Sequence, residues 1–287
     1  MDKREMAALL SRQTSQCERN RFSMLGQEDE RMWEEPLIAF AAGSDPLFQF
    51  LKEDIGDFYM TPPEVFQTKY PDAAADGADL TVACLAFAQT AVTKEEQAKQ
   101  KTVPCLRWVL SRNTWKAVSD EFYDRIGAAL TEQGIRFVVP DRMPEMRVRR
   151  AKKYGLAAVW SHRHAAMIAG LGTFGLSDGF ITRNGIAIRL VSLVMEQRIE
   201  PDAREYGTEP YGWCLFHQNG SCGACIKRCP AGAVTKAGHD KEKCSDYLNR
   251  MEERHCHNPM IDQQLEVGCG LCQCVVPCAE KRRVAKL

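Results

Sequence analysis

The segment SCGACIKRCPAGAV places Cys222, Cys225 and Cys229 in the spacing CxxCxxxCP, with Pro230 directly after the third thiol. Thiolates spaced this way grip a cubane iron–sulfur cluster, and the cysteine before proline reaches across to a second cubane. The run departs from its full form: the position three residues before Cys222 is Asn219, and Cys214 is the nearest upstream thiol. A second set follows, with Cys244 in HDKEKCSDYL, then Cys269, Cys272, Cys274 and Cys278 in GCGLCQCVVPC. If two pseudo-symmetric halves exchange ligands, one cluster takes Cys214, Cys222, Cys225 and Cys278, and the other takes Cys229, Cys244, Cys269 and Cys272. Cys256 and Cys274 are left over. Cys274 competes with Cys278, because this motif ends in Pro277-Cys278 instead of cysteine-proline; its closeness to Cys272 favours Cys278, since neighbouring thiols strain to reach different corners.

The chain has 13 cysteines, of which Cys17, Cys84 and Cys105 precede residue 210 and the other ten fall between Cys214 and Cys278. In a reducing compartment thiols at such close spacings bind metal in preference to forming disulfides. Structural zinc is the competing reading, because paired CxxC motifs also hold zinc. A zinc ribbon has no use for the CxxxCP element or for this many thiols, and His217, His239, His255 and His257 show no paired helical spacing with the cysteines. Those histidines read as surface residues. Cys17, Cys84 and Cys105 read as small buried hydrophobes.

Lys plus Arg equals Asp plus Glu, 38 each in 287 residues, so no overall basic field draws the chain onto nucleic acid or anionic lipid. The start, MDKREMAALLSRQ, has no apolar signal core or twin-arginine pair, and no stretch approaches the roughly 18 apolar residues of a membrane span. A cytoplasmic location with no membrane partner is the expectation.

The elements that must position the thiols read as mixed helix and strand, an α+β fold. ADLTVACLAFAQTA, from Ala78, has the look of a buried strand. Trp115, Val118, Phe122, Ile126, Ala129 and Leu130 recur at helical spacing, Gly134 supplies the stop, and Ile135 to Val139 resume as a strand closed by Pro140. A helix is expected over Ser161 to Ala169, then a glycine-rich turn, Gly170-Leu-Gly172-Thr-Phe-Gly175, then a strand Phe180 to Thr182. Asn184-Gly185 signals a two-residue hairpin, which makes Ile186 to Met195 the expected partner strand. The polar stretch Ile199 to Gly212 marks the boundary between a first domain, 1–210, and a second, 211–287.

SHRHAAMIAGLGTFGLSDGFITRNGIAIRLVSLV, followed by two cluster motifs, resembles the epoxyqueuosine reductase and reductive dehalogenase superfamily over about Arg163 to Cys278. The resemblance implies a nitroreductase-like α/β domain that binds cobalamin, followed by a ferredoxin-like domain with two 4Fe-4S clusters. It further implies a reductase acting on a small-molecule substrate, supplied by an external electron donor of the flavodoxin or ferredoxin type. Arg163, Ala169, Gly170, Leu171, Gly172 and Gly175 match the family's RA…AGLGxxG segment, which passes close to the corrinoid. Ser177 stands where the reductases carry Asn, and Leu176 where they carry Lys. The same glycine pattern also fits an ordinary helix-to-strand turn.

Three departures stand out. The family's proton-donating Asp aligns with Leu156, the helical-repeat domain that helps grip tRNA has no counterpart before Leu287, and the exported dehalogenases' twin-arginine signal is missing. A tRNA partner is therefore not expected, and the tail EKRRVAKL reads as a solvated helix end. The local proton donors are His162, His164 and Tyr154, with Arg163 or Arg147 to hold an anion. His162 and His164, two residues apart, point to different sides of a helix, so at most one faces a pocket. The run RVRRAKK from Arg147 reads as a solvated face. The alternative function is a non-catalytic two-cluster electron carrier whose first domain binds a flavin or a partner.

Overall fold

A nine-residue run without a charge, Leu80–Ala88, is buried along its whole length, and the fold is built around it. The computed structural model describes residues 1–73, 76–255, 257–258, 263–264 and 268–282. Cys256, the side chains of His255 and His257, and most of the tail EKRRVAKL lie outside the described residues.

The chain begins with α1 (Lys3–Ser15), whose first turn is closed by a reciprocal cap: Glu5 N–H donates to Asp2 Oδ1 at 2.9 Å and Asp2 N–H to Glu5 Oε2 at 2.8 Å. A ribbon of β1 (Arg21–Phe22) and β2 (Gln27–Arg31) leads to β3 (Leu37–Ala42), α2 (Pro46–Ile55), α3 (Pro62–Gln67) and β4 (Leu80–Ala88). Then come α4 (Ala91–Ala98), the 27-residue α5 (Leu106–Glu132) and β5 (Phe137–Val138). Two hairpins, β6 (Val148–Ala151) with β7 (Gly155–Ala158) and β8 (Gly172–Phe174) with β9 (Phe180–Thr182), flank α6 (His162–Ile168), and β10 (Ile188–Glu196) completes the first part. The cysteine-rich part carries α7 (Leu215–Asn219), α8 (Ala224–Arg228), the small ribbon β11 (Val234–Thr235) and β12 (Gly238–His239), and α9 (Lys241–His255).

Strands β3, β4, β10 and β5 form one sheet in that order, every pair antiparallel. Side chains alternate across it. Val82, Cys84 and Ala86 join the core with α2, α3 and α6, whereas Ala83, Leu85 and Phe87 join the core with α1 and α5. Helices therefore cover both faces, which is why β4 is apolar at every position instead of at every second one.

The cysteine-rich segment wraps the end of this sandwich. Trp213, Cys214, Val234, Val276 and Ala279 belong to the core on the α6 face, while Met251 belongs to the core on the α5 face with Cys269 packed against it. The stretch Ile199 to Gly212 holds no helix or strand, but it is pinned: Arg204 pairs with Asp45 at 2.6 Å, and Tyr206 Oη donates to the Met167 carbonyl at 2.6 Å. Apolar packing is thus continuous across residue 210.

Two sequence expectations are corrected. The Asn184-Gly185 turn forms, with Thr182 bridging Gly185, yet β10 does not return along β9. Strand β9 pairs with β8, and β10 pairs over nine residues with β4. The diversion begins where Ile186 N–H donates to the Cys278 carbonyl at 2.9 Å, and a three-residue strand cannot compete with a nine-residue ladder between two cores. The strand expected over Ile135 to Val139 narrows to Phe137 and Val138, because only these reach a partner, on β10.

Gly172 admits the β8–β9 pairing without using a left-handed conformation: a Cβ there would lie 2.0 Å from the Ile181 carbonyl oxygen. Gly172→Ala should destabilise the protein by about 1–3 kcal/mol, the usual cost of overpacking, read as a lowered urea midpoint at unchanged slope.

Candidate functional site

Cys214 caps α7, Cys222 lies just before α8, Cys225 sits on α8, and Cys278 lies in the turn with Pro277. All four border one cavity, open to solvent and with about 440 Å³ of empty space, whose walls are otherwise largely apolar and include Gly175, Leu176, Ser177 and Trp213. Burial, and then the charges of Cys214 and Cys222, push the Cys225 thiol up to about 11. Burial, and then Cys214, Cys225 and Cys222, push Cys278 up to about 12.

A second foursome behaves in the same way. Burial raises Cys269 to about 11, with added repulsion from Cys244 and Cys229, and burial raises Cys272, with repulsion from Cys269, Cys229, Cys244 and Cys225. The Cys225 charge, from the first group, thus acts on the second as well. The Ala233 amide donates to Cys229 Sγ at 3.3 Å, the kind of contact that steadies sulfur carrying negative charge.

Cys274 stands apart from both. It is 1% exposed in a small core with Cys105, Trp108 and Ala187, and the thiol whose charge it feels is Cys105. Val275, with φ of 59°, is the pivot. A β-branched residue rarely adopts that conformation, and it sends Cys274 inward while the chain turns back to bring Cys278 to Cys214. Cys17 and Cys84 are buried with raised pKa values, burial being the first cause of each.

The donors gathered here are thiols, the ligand type that iron–sulfur clusters use. Buried thiols that repel one another need a cation to displace their protons, and bound metal deprotonates a thiol outright. Among the described residues no three His, Cys, Asp or Glu side chains are gathered so as to hold a single metal ion. The thiols of the first foursome share the wall of one cavity.

The glycine-rich turn runs past the first foursome, but its glycines serve different purposes. Gly170, with φ of +88°, would place a Cβ 2.7 Å from the Ala203 carbonyl, so Gly170 and Gly172 are filled by the protein's own backbone, as in a helix-to-strand turn. Leu171 is buried in the core. Gly175 and Ser177 are the members that reach the cavity wall. Asp178 adopts φ of 57°, which turns its carbonyl to Arg163 Nη1 at 3.0 Å and its carboxylate to His239 Nδ1 at 3.1 Å. Hydrogen bonds to Asp178 and Cys244 push His239 up to about 9. This links the turn to the second foursome, where sequence spacing indicated only a surface histidine.

The two helix histidines do separate. His162 is locked into a network: Nε2 lies 2.7 Å from Asp141 Oδ1 and Nδ1 lies 2.7 Å from Ser192 Oγ, which also accepts Trp160 Nε1 at 2.9 Å. Tyr123 Oη donates to the other Asp141 oxygen at 2.8 Å. Burial alone would raise Asp141, yet the His162 bond and charge hold it below the usual carboxylate range.

His164 points elsewhere, with Nδ1 2.8 Å from Ser161 Oγ and its ring against Tyr59 and Phe174. Burial and then the Arg163 charge depress it to about 4, so it is neutral at pH 7 and is no ready acid. Tyr154, 41% exposed in the β6–β7 turn, donates its hydroxyl to Asp54, which Lys153 Nζ approaches at 2.6 Å. The Asp54 charge acts on His164 and the Tyr154 charge on Tyr211. Leu156, at the position of the family's acid, is 56% exposed on the same hairpin. Val148, Arg149 and Arg150 are solvent-exposed, as read for that basic run.

No protein-family model and no curated protein matches this chain. Similar solved structures include a selenomethionine-labelled epoxyqueuosine reductase, 18% identical over 87% of this chain and 64% of that one, with a TM-score of 0.48. The Bacillus subtilis epoxyqueuosine reductase is 19% identical over 86% and 62%, TM-score 0.48, and a reductive dehalogenase is 13% identical over 74% and 27%, TM-score 0.45. The chain thus spans less than two thirds of the length of the reductases it is similar to. Among the described residues no helix is long and apolar enough to cross a membrane.

Two measurements separate the histidines. His162→Ala should cost about 2–3 kcal/mol of stability, because Asp141 and Ser192 lose a shared partner, with iron content unchanged. For His164 the folded state binds its proton more weakly than the unfolded state, whose value is 6.5. Its contribution to stability is full above pH 6.5 and is lost as the pH falls toward 4. His164→Gln should flatten the fall in unfolding midpoint across that window at matched cluster content, and an unchanged slope would exclude this assignment.

Proposed function

We propose that this chain is an iron–sulfur oxidoreductase of the epoxyqueuosine reductase and reductive dehalogenase type. The supporting observation is the partition of eight cysteines into two adjacent, mutually repelling foursomes, one of which shares a cavity wall with Gly175 and Ser177. In this reading Cys214, Cys222, Cys225 and Cys278 hold one 4Fe-4S cluster, and Cys229, Cys244, Cys269 and Cys272 hold the other. Such clusters supply electrons one at a time. The nitroreductase-like first part and the ferredoxin-like second part of the proposal meet at the sheet end where the cysteine segment wraps.

A corrinoid, when bound, supplies a low-potential cobalt centre for reducing a small organic substrate. Ser177 on the cavity wall, Arg163 bound to the Asp178 carbonyl of the same turn, and Tyr154 and His164 are the residues of this chain that would hold it; Gly170 and Gly172 contribute the turn's shape. His164, neutral at pH 7, orients and accepts hydrogen bonds. Tyr154, held by Asp54 beside Lys153, is the group placed to move a proton, and it takes the part for which Leu156 is unsuited. A tRNA substrate is not part of the reading.

The decisive experiment is anaerobic cluster reconstitution with iron and sulfide counted per chain. About eight irons are expected in the wild type and in Cys274→Ser, and about four in Cys278→Ser. Loss of iron in Cys274→Ser with retention in Cys278→Ser would reverse the ligand assignment, and a colourless zinc-loaded protein would refute the function. Cobalamin that co-elutes with a perturbed spectrum supports the reductase; absence of uptake points to the electron carrier.

A further inference from the structure

The stretch Cys269 to Cys274, which carries two thiols of the second foursome, is fixed at three points by other elements. At its start the fully buried Gln97, in α4, donates from Nε2 to the Cys269 carbonyl at 2.7 Å, while its Oε1 accepts the Cys105 amide at 2.8 Å. Gly270, with φ of +58°, packs on Trp108 of α5, and a Cβ there would fall 1.9 Å from the indole. At its end the Cys274 carbonyl accepts from Nε of Arg228, the last residue of α8, at 3.2 Å. Cys229 follows Arg228 directly. The guanidinium is thus set among the segments that bear Cys229, Cys269 and Cys272.

The other bonds of Arg228 run from Nη2 to the carbonyls of Gln97 at 3.2 Å and Ala98 at 3.3 Å, at the C-terminal end of α4. A helix C-terminus attracts a cation without discharging it. All three partners are carbonyls, and among the described residues no carboxylate pairs with Arg228. A guanidinium stays charged at any working pH, and this one is half-buried, where a charge is screened less than at the surface. Burial is the largest influence raising the Cys269 thiol and Cys244 and Cys229 add to it, while the Arg228 charge opposes them. The wall of the first foursome's cavity, by contrast, includes no Lys, Arg or His.

Taking up an electron adds negative charge to a 4Fe-4S cluster, and local charge and hydrogen bonding set its potential. A fixed cation favours the reduced form. We propose that Arg228 raises the reduction potential of the cluster held by Cys229, Cys244, Cys269 and Cys272 above that of the other, making it the first of the two to be reduced. One electron from the external donor arrives at that cluster; no proton moves and no bond forms or breaks. Gln97 and Trp108 hold the loop, and Arg228 supplies the charge. This role rests on the two-cluster reading and deepens it by assigning the order in which the clusters fill.

The test is a potentiometric titration of cluster-loaded protein followed by electron paramagnetic resonance, with dithionite as reductant. It compares wild type, Arg228→Lys, Arg228→Gln and Arg228→Met, with iron counted in each. The wild type should hold about eight irons and be reduced in two one-electron steps. In Arg228→Gln and Arg228→Met the upper step should fall by about tenfold in the equilibrium constant for reduction, which is about 59 mV for one electron. The lower step should stay in place, and Arg228→Lys should remain near wild type. Added to Cys278→Ser, which keeps the second cluster, Arg228→Met should move the single remaining step by the same amount; added to Cys272→Ser, which keeps the first, it should move nothing.

Eight irons with both steps unmoved in Arg228→Gln, or a shift confined to the lower step, overturns the proposal. Loss of the second cluster from both neutral variants also overturns it, because Arg228 is then a structural clamp only. A wild type that takes up no more than about four irons refutes the two-cluster reading itself, whereas eight irons with unmoved potentials refutes the role of Arg228 alone.

Discussion

Buried thiols placed next to one another repel as soon as they ionise, and this repulsion organises the cysteine-rich part of the molecule. Burial and neighbouring charges together push Cys225 and Cys269 to about 11 and Cys278 to about 12. Without a compensating cation the chain keeps these groups protonated. The fold accommodates them by tying the segment to both faces of a sheet, with Cys214 in the core under α6 and Cys269 against the core under α5. The first foursome is not anchored by short-range structure of its own, since α7 and α8 have five residues each. Isolated helices of that length are marginal in water, so the sandwich holds the thiols in place.

A second constraint fixes α6, where a polar network from separate elements holds His162 between Asp141 and Ser192. A fully satisfied network of this kind fixes one arrangement, because any alternative leaves a buried polar group unpaired. With His162 occupied, the next histidine along is turned into an apolar setting of Tyr59 and Phe174 and stays neutral at pH 7. This region therefore combines neutral His164 with a tyrosine tied to a carboxylate.

Much of the architecture was legible from local pattern. The unbroken apolar run at Leu80–Ala88 read as a buried strand, and the period from Trp115 to Leu130 read as a helix, although the helix extends back to Leu106. Ser161 and Gly134 acted as the start and stop signals they resembled. The Asn184-Gly185 turn was also read correctly, but its partner strand was not, because pairing depends on competition between distant ladders. In the same way Gly170 and Gly172 signalled a close approach, while the approaching group was the backbone of Ala203 and Ile181.

By itself the sequence determined which residues are available for metal chemistry and which segments must be buried, because ligand spacing and hydrophobic period are properties of neighbours along the chain. Tertiary structure decided the rest: that Cys274 packs with Cys105 while Cys278 shares a cavity wall with Cys214, and that His162 is held by Asp141 and Ser192 while His164 packs against Tyr59 and Phe174. These outcomes rest on contacts between residues far apart in the chain, such as Gln97 donating to the Cys269 carbonyl across 172 positions. Burial and charge act through space, so their consequences follow only once the sheet and its two cores have placed those residues together.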